Sequence, residues 1–396
     1  MKKKIIAMLM AASMVFSLAA CGSSEKAPAA STASSGAESS AAATFKLGAI
    51  GPLTGDAAIY GNAVMNGAQI AIDEINAKGG VNGAMLELNA QDDEADGEKG
   101  VNAYNTLKDW GVQAIVGSVT TGSCISVSAV AAEDRVFMLT PSASSTDVLA
   151  NKNNMFQVCF TDPNQGVGSA DYMAENMAGT KVAVIYRNDD AYSQGVRDTF
   201  VAEAAAKGVE IVYEGTFTAD TATDFSVQLT AAQSAGADTV FLPIYYQPAS
   251  VILKQANDMG YAPTFFGVDG MDGILAMEGF DTALAEGVML LTPFDATATD
   301  ELTSAFVAEF QKRYNEVPNQ FAADGYDAVY VLAAALEKAA CTTDMDAAAI
   351  CEALIAVMPT LSVDGLTGEA MTWAETGEVS KAPKAVVIKD GVYVTP

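Results

Sequence analysis

Hydroxyl side chains are concentrated in two segments, VGSVTTGS and TPSAS, that follow short apolar runs. Together with free backbone N–H groups at a helix start, such hydroxyls bind an anion without any fixed positive charge. Helix capping is the ordinary alternative for any one of them, but two such loops one repeat apart favour an anion site. The first loop offers Thr120, Thr121 and Ser123, and the second offers Thr140, Ser142, Ser144 and Ser145.

A single acidic loop offers the opposite chemistry. In FFGVDGMDG, Asp269 follows an apolar run and has a glycine on either side in the loop. A carboxylate at the end of a strand can hold an ammonium group or cap the next turn. Asp272 and Asp324 are alternatives for the same role.

Tyrosines in the other loops would give apolar walls with a polar tip. They are Tyr60, Tyr192, Tyr245, Tyr246 and Tyr326.

The chain contains no histidine, which restricts what these loops can catalyse. A Ser or Thr hydroxyl usually needs a nearby base, most often His, to become a nucleophile. Activation by lysine or a carboxylate remains open, so the sequence disfavours an enzyme without excluding one. The usual zinc, haem and copper ligand sets are also missing. We therefore expect neither a metal nor a cofactor.

The segment DDEADG resembles the front of a calcium loop, with carboxylates at Asp92, Glu94 and Asp96 before Gly97. The twelfth position of such a loop needs a bidentate Glu, and here it is Ala103. We interpret the segment as an acidic helix start instead. No GxGxxG or Walker-type loop follows a predicted strand, so phosphates and nucleotides are poor candidates.

The N-terminus has the three regions of a secretory signal, with Lys2, Lys3 and Lys4 ahead of an apolar stretch. The following LAAC looks like a lipobox, where bacterial lipoproteins are cleaved and lipidated on cysteine. An incidental cysteine beside an ordinary cleavage site is the alternative. We expect the signal peptide to be residues 1–20, Cys21 to carry the lipid, and residues 21–44 to form a flexible Ser/Ala-rich linker.

The chain is strongly acidic, with 21 basic and 49 acidic residues and a formal net charge of −28. Nucleic acid is therefore an improbable partner. An acidic surface also gains nothing from anionic lipid head groups, so membrane attachment would depend on the lipid at Cys21.

One pattern recurs along the middle of the chain: an amphipathic helix, a glycine, two or three residues, then a short apolar run. It appears as LKDWGVQAIVG, AAAKGVEIVYEG, AQSAGADTVFLP and ANDMGYAPTFFG. The glycines would take the left-handed conformation just past each helix. Short runs that are apolar throughout are typical of strands covered on both faces. Helices alternating with such strands predict doubly wound parallel sheets.

The length of the chain predicts two lobes joined by a hinge. Helices at 300–315 and 321–340 are expected to return to the first lobe, and KAVVIKD to add a strand to the second. Open parallel sheets bind ligands beyond the carboxyl ends of their strands, where the polar loops fall. The predicted lobes are 45–162 plus about 293–370, and 163–292 plus about 371–396.

Four cysteines follow Cys21 in what we expect to be an exported chain, where disulfides are permitted. Cys341 and Cys351 flank a predicted turn and helix start. A disulfide between them and two separate buried thiols are alternatives that the sequence leaves open.

From about residue 45 to 395 the chain resembles the branched-chain amino acid type of extracytoplasmic solute-binding protein, the receptor component of ABC importers. The resemblance rests on IGPLTGDAAIYG, INAKGGVNG, DDEAD, VGSVTTGS and TPSAS, in that order. It implies an α/β fold of the type I periplasmic-binding-protein kind, without enzymatic activity. It also implies an ABC permease as partner.

The same resemblance implies roles for particular residues. It places Thr121, Ser142 and Ser144 on the ligand α-carboxylate, and Asp269 with Tyr192 on the α-ammonium. The positions that would line the side-chain pocket are Tyr60, Tyr246 and Tyr326.

Two departures from the family pattern affect the ligand. Asp269 stands where the best-known members have glutamate, so the ammonium would sit closer to the second lobe or be bridged by water. Ala95 and Thr120 replace a cysteine pair. The amino acid class is still implied, with a branched-chain or related apolar side chain.

We therefore predict an extracytoplasmic lipoprotein that captures an amino acid between two lobes and delivers it to an ABC importer. A same-fold receptor for amides, urea or another amino-acid-like ligand remains an alternative, as does a sensory receptor. A surface enzyme using Ser or Asp chemistry and a purely structural lipoprotein are the rivals from other classes.

Overall fold

The computed structural model describes residues 43–396, which contain two parallel-sheet regions of the predicted α/β type. The predicted signal peptide, Cys21 and nearly all of the linker lie outside the described residues. Within residues 43–396, none of the helices combines the length and apolarity that a bilayer crossing requires.

The first sheet has the order β2-β1-β3-β4-β5, and all neighbouring strands are parallel. Its strands are β1 (Thr44–Gly51), β2 (Met85–Asp92), β3 (Ala114–Gly117), β4 (Phe137–Thr140) and β5 (Met155–Gln157). Two different cores cover its faces. In β3, Ala114 and Val116 belong to one buried cluster and Ile115 to the other, which is why this strand is apolar throughout.

The second sheet has the order β12-β11-β10-β9-β8-β6-β7. Strands β6 to β10 pair in parallel, whereas β11 pairs antiparallel with both β10 and β12. The predicted extra strand KAVVIKD is β11, and its place in the second sheet is confirmed. The strands are β6 (Lys181–Arg187), β7 (Glu210–Phe217), β8 (Thr239–Leu242), β9 (Thr264–Gly267), β10 (Met289–Thr292), β11 (Lys384–Lys389) and β12 (Val392–Val394).

Helices cover both sheets. Those of the first lobe are α1 (Ala58–Ala77), α2 (Gly97–Trp110), α3 (Thr121–Asp134), α8 (Glu301–Tyr314), α9 (Gln320–Lys338) and α10 (Ala347–Val357). Those of the second lobe are α4 (Asp162–Asn176), α5 (Ala191–Lys207), α6 (Ser226–Ser234) and α7 (Tyr246–Asp258). The predicted return of the two late helices is confirmed, since α8 and α9 both pack on α1.

Glycines end two helices as the repeated pattern predicts. Gly111 follows α2 and Gly208 follows α5, each in the left-handed conformation with φ of 87° and 75°. A residue with a Cβ would be strained there, so the short turn into the next strand depends on glycine.

The chain returns to the second sheet later than the predicted boundary at about 371. Residues 371–379 still contact the first sheet: the indole N–H of Trp373 donates to the Gln157 carbonyl at 2.8 Å. The Gln157 N–H in turn donates to the Gly377 carbonyl at 2.9 Å. The crossing therefore lies just before β11.

Of the two alternatives for Cys341 and Cys351, a disulfide or two thiols, the structure shows two thiols. Cys341 and Cys351 are both free and buried, as are the two other cysteines of the described residues. Burial raises the pKa of the Cys351 thiol to about 11, so this sulfur is unreactive near neutral pH.

Candidate functional site

Loops from the two lobes meet across one narrow cavity. Its free volume is about 10 Å³, room for about one water molecule, so the lobes are closed on each other. Six of the eight predicted ligand-binding residues line it: Tyr60, Thr121, Ser142, Ser144, Tyr192 and Asp269. Tyr246 and Tyr326 do not line it.

Thr121 lies at the N-terminus of α3, directly after the loop that follows β3. The start of this helix has no side-chain cap, so its first backbone N–H groups remain open to an anion. Thr120 occupies the cap position, yet its buried hydroxyl has no hydrogen-bond partner among residues 43–396. The helix start is thus suited to accept a carboxylate.

The second hydroxyl loop is tied to the first. The Thr140 hydroxyl donates to the Ser118 carbonyl at 2.7 Å and accepts from the Ala143 N–H at 2.9 Å. The Ser142 hydroxyl donates to the Val119 carbonyl, also at 2.7 Å. Hydrogen bonds within the first lobe therefore fix this wall of the cavity. The Ser142 hydroxyl would have to rotate to donate to a ligand.

Asp269 forms the facing wall, at the start of a short 3₁₀ turn after β9. Its carboxylate accepts from the Tyr192 hydroxyl at 2.7 Å, and its backbone N–H donates to Gln165 Oε1 at 3.2 Å. The Tyr192 hydroxyl also accepts from the Gly270 N–H at 3.0 Å. Burial raises the pKa of Asp269 to about 7, while the hydrogen bond from Tyr192 opposes the rise.

The two competing carboxylates are engaged elsewhere. Asp272 accepts the backbone N–H groups of Gln320 and Gly273, each at 2.8 Å, so it links a first-lobe helix to the second lobe. Asp324 pairs with the buried ammonium of Lys381 at 3.4 Å. Asp269 is the only acidic residue among the described residues that line the narrow cavity.

Tyr60 reaches from the first lobe to the second. Its hydroxyl donates to the Gly270 carbonyl and accepts from the Tyr246 N–H at 3.1 Å. Its ring centroid lies 4.3 Å from that of Phe321 and 4.9 Å from that of Tyr246. The contacts with Gly270 and Tyr246 cross between the lobes, whereas the contact with Phe321 lies within the first lobe.

Tyr245 lines the cavity where the resemblance implied its neighbour Tyr246. The Tyr245 ring stacks on Tyr192, with centroids 5.1 Å apart and an interplanar angle of 17°. Tyr246 starts α7 and supports Tyr60 from behind. Successive residues at a strand-to-helix turn point in different directions, and the pair YY does not reveal which ring faces the cavity.

The expected place of Tyr326 in the side-chain pocket is corrected by the structure. Its hydroxyl donates to Glu74 at 2.8 Å, and its ring packs against Phe306 and Tyr330. Phe321 of the same helix lines the cavity instead. The two positions are five residues apart, which puts them about 140° apart around a helix.

The DDEAD segment positions the loops. Asp92 accepts from the Leu53 N–H at 2.8 Å, and Asp93 accepts from the Ser123 hydroxyl at 2.7 Å. The Ser123 hydroxyl is therefore bonded within the protein and does not face the ligand cavity. Asp96 caps α2, so the interpretation as an acidic helix start is confirmed. No group of three or more potential ligands that could hold a metal ion occurs within residues 43–396.

Gln165 was not predicted, although it supports Asp269 directly. It lies in the first turn of α4, and its role depends on how α4 packs against the loop after β9. No local pattern in the sequence marks that contact.

Two parallel-sheet lobes whose strand-end loops meet across one cavity define the type I periplasmic-binding-protein fold. The chain belongs to the periplasmic binding protein family, whose model matches residues 44–391. This family consists of extracytoplasmic solute-binding receptors.

Relatives of known name support this assignment. Leu/Ile/Val-binding protein homolog 3 of Brucella melitensis is 34% identical, covering 87% of this chain and 91% of its own. Leu/Ile/Val-binding protein BraC3 of Rhizobium johnstonii is 33% identical, with coverage of 85% and 89%.

Among solved structures, LivJ of Streptococcus pneumoniae in complex with isoleucine has a TM-score of 0.79 at 28% identity. The match covers 89% of this chain and 100% of that protein. The leucine-binding protein LivK of Thermotoga maritima also has a TM-score of 0.79, at 27% identity, with coverage of 89% and 97%.

Proposed function

We propose that this protein captures an amino acid between its two lobes and delivers it to an ABC importer. The observation that carries the proposal is the composition of the narrow cavity. Asp269 faces it from the second lobe, while Thr121, Ser142 and Ser144 face it from the first. Opposite ends of a zwitterion match these two walls.

Each wall suits one end of the ligand. The α3 start and the hydroxyl groups are neutral donors that bind a carboxylate through hydrogen bonds. Asp269 is buried without a cationic partner in the cavity, so an ammonium group would compensate the cost of its charge. A ligand with only one of the two charges would leave one wall unmatched.

Binding requires the lobes to open and close. The closed cavity is too small for an amino acid, and Tyr60 bridges to Gly270 within it. Gln320 likewise joins the lobes, with its side-chain amide donating to the Asp269 carbonyl at 3.0 Å. Opening would break these contacts, and the ligand would then replace Tyr60 as the bridge between the walls.

Branched-chain amino acids are the first ligands to test, because the relatives are named for leucine, isoleucine and valine. The placement in the cell follows from the sequence: cleavage before Cys21 would leave a lipid-anchored receptor on the outer face of the cell membrane. From there the receptor would dock on the permease subunits of an importer.

Calorimetry on the purified protein tests the proposal. The twenty amino acids are first screened by thermal shift, and the best one is titrated beside its deaminated and decarboxylated analogues. We expect each analogue to bind at least about thirtyfold more weakly, since each lacks one charged end. Urea and acetamide serve as probes of the amide alternative. Binding of these two, without binding of any amino acid, would contradict the proposal.

A further inference from the structure

A second, larger cleft opens beside the narrow cavity. Its volume is about 550 Å³, within the range of about 300–1,000 Å³ that is typical of small-molecule sites. Thr120, Tyr192 and Tyr245 line both spaces, so the two adjoin at these residues. The side chain of a ligand held in the narrow cavity would reach the cleft by passing these three residues.

The charge lining this cleft is negative. Its acidic residues are Asp56, Glu94, Asp96 and Asp190, and its one basic residue is Arg187. Asp56, Asp96 and Asp190 form no direct ion pair within the described part of the chain. A positively charged group entering the cleft would meet carboxylates that no bound cation yet compensates.

The other two charges are already paired. Glu94 binds the ammonium of Lys99 at 2.6 Å, and Arg187 binds Asp189 at 2.7 Å. Arg187 is thus directed to its own neighbour. Burial raises the pKa of Asp190, and the nearby charge of Arg187 only partly opposes that rise. The pairing leaves an excess of negative charge in the cleft.

The hydroxyl of Thr120, unpartnered within the described residues, lies where the cleft meets the narrow cavity. Thr120 is 4% exposed, and its hydroxyl has no hydrogen-bond partner within residues 43–396. A buried hydroxyl without a partner is costly, so such groups normally meet a ligand or water. Because Thr120 lies where the two spaces join, a polar atom of the ligand would pass this hydroxyl.

Aromatic rings complete the environment of a cation. Tyr192 and Tyr245 stack at the junction, and their faces attract positive charge. The narrow cavity has room for about one water molecule, so the side chain of a bound amino acid needs further space. The adjoining cleft supplies that space beside Tyr192 and Tyr245.

We propose that the acidic cleft is a side-chain subsite that selects amino acids ending in an amino or guanidino group over branched-chain ones. This inference rests on the proposed function, in which Asp269 and the hydroxyl wall hold the α-ammonium and α-carboxylate. It narrows the ligand from an amino acid to a basic amino acid.

The test is a set of calorimetric titrations with L-lysine, L-arginine, L-norleucine and L-leucine. Lysine and norleucine have unbranched side chains of similar length that differ in the terminal charge. We expect lysine to bind at least about tenfold more tightly than norleucine, and the difference to shrink in high salt. Equal or tighter binding of norleucine and leucine would overturn the inference while leaving the proposed function intact. Failure of lysine and arginine to bind would also overturn the inference, whereas the proposed function fails only if none of the twenty amino acids binds.

Matched variants test which residues produce the preference for lysine over norleucine. Asp56→Asn removes an exposed carboxylate of the cleft, and Glu98→Gln removes an exposed one on α2 outside it. We expect the first to weaken lysine binding about threefold or more without changing norleucine binding, and the second to change neither. Thr120→Val should also weaken lysine binding while the protein stays folded by its melting temperature. A lysine preference that survives both Asp56→Asn and Thr120→Val would place the selecting group elsewhere and overturn the subsite.

Discussion

The two walls of the narrow cavity differ in how they are prepared for a ligand. On the first-lobe side, the Ser142 and Thr140 hydroxyls are already bonded to backbone carbonyls of their own lobe. On the second-lobe side, Asp269 is a buried carboxyl group held by Tyr192 and Gln165. The first wall is neutral and fixed in direction, whereas the second carries a group whose charge depends on its surroundings.

The difference in charge between the two walls indicates which of them should supply most of the binding affinity. Replacing one neutral donor changes one hydrogen bond, which contributes about 0.5–1.5 kcal/mol. A buried carboxylate paired with a ligand cation is a stronger interaction, and losing it strands the cation in a dry site. The second wall should therefore dominate both the binding energy and its dependence on pH.

The largest expected effect is that of Asp269→Asn. The variant keeps the shape of the side chain but removes the charge, so the ligand ammonium has no counter-ion. We expect the binding free energy to weaken by about 2–5 kcal/mol, measured by calorimetry with the best-binding amino acid. Glu278→Gln, an exposed change on the same lobe, should leave affinity unchanged. Unaltered affinity in Asp269→Asn would remove this residue from the site.

Lowering the pH should weaken binding through the same group. Burial raises the pKa of Asp269 to about 7 in the ligand-free protein, and only the ionised form attracts an ammonium. Affinity should be full above pH 7 and fall by about tenfold for each pH unit below it. Titrations between pH 5 and 8 measure this dependence. A flat profile would contradict it.

Stability of the ligand-free protein should change in the opposite direction. The pKa of Asp269 is about 7 when folded and about 4 when unfolded, so the folded state holds a proton that the unfolded state releases. The stabilisation from this group is present at low pH and is lost as the pH rises through 7. Burial also raises the pKa of Asp324 to about 7, with the same sign. The change in melting temperature with pH should therefore diminish in Asp269→Asn without disappearing.

Much of the fold could be predicted because the chain repeats a simple pattern. AIVG is apolar throughout since both faces of β3 are covered, and Gly111 marks the turn into it. Thr121 and Asp269 could be singled out because both follow such runs at strand ends. These features are local, so sequence spacing reveals them.

The remaining site residues depend on contacts that spacing does not reveal. Tyr245 and Tyr246 follow the same strand, and only the turn decides which ring faces the cavity. Tyr326 lies outside the cavity because the direction of a helical residue depends on how the whole helix is rotated. Gln165 supports Asp269 from a distant segment of the same lobe, and no sequence pattern reveals a contact between residues 104 positions apart.

An intermediate effect is expected for Tyr192→Phe. The change removes the hydroxyl that donates to Asp269 and accepts from the Gly270 N–H, but it keeps the ring stacked on Tyr245. We expect a loss of about 1–3 kcal/mol in binding free energy, since the missing bond involved a charged group. The pKa of Asp269 should also rise further, so the fall in affinity would begin at a higher pH. Unchanged affinity and an unchanged pH profile would show that the ring, which the variant keeps, matters more than the hydroxyl.

The smallest effect should come from the neutral wall, with Ser142→Ala. This variant removes one neutral hydroxyl, so we expect affinity to fall by about 0.5–1.5 kcal/mol with no change in its pH profile. The Ser142 hydroxyl also joins the two loops through the Val119 carbonyl, so the ligand-free melting temperature should drop slightly. Ser234→Ala, an exposed change at the end of α6, is the control for both measurements. A loss as large as that of Asp269→Asn would mean that the hydroxyl wall dominates recognition, because a neutral donor would then outweigh a buried charge.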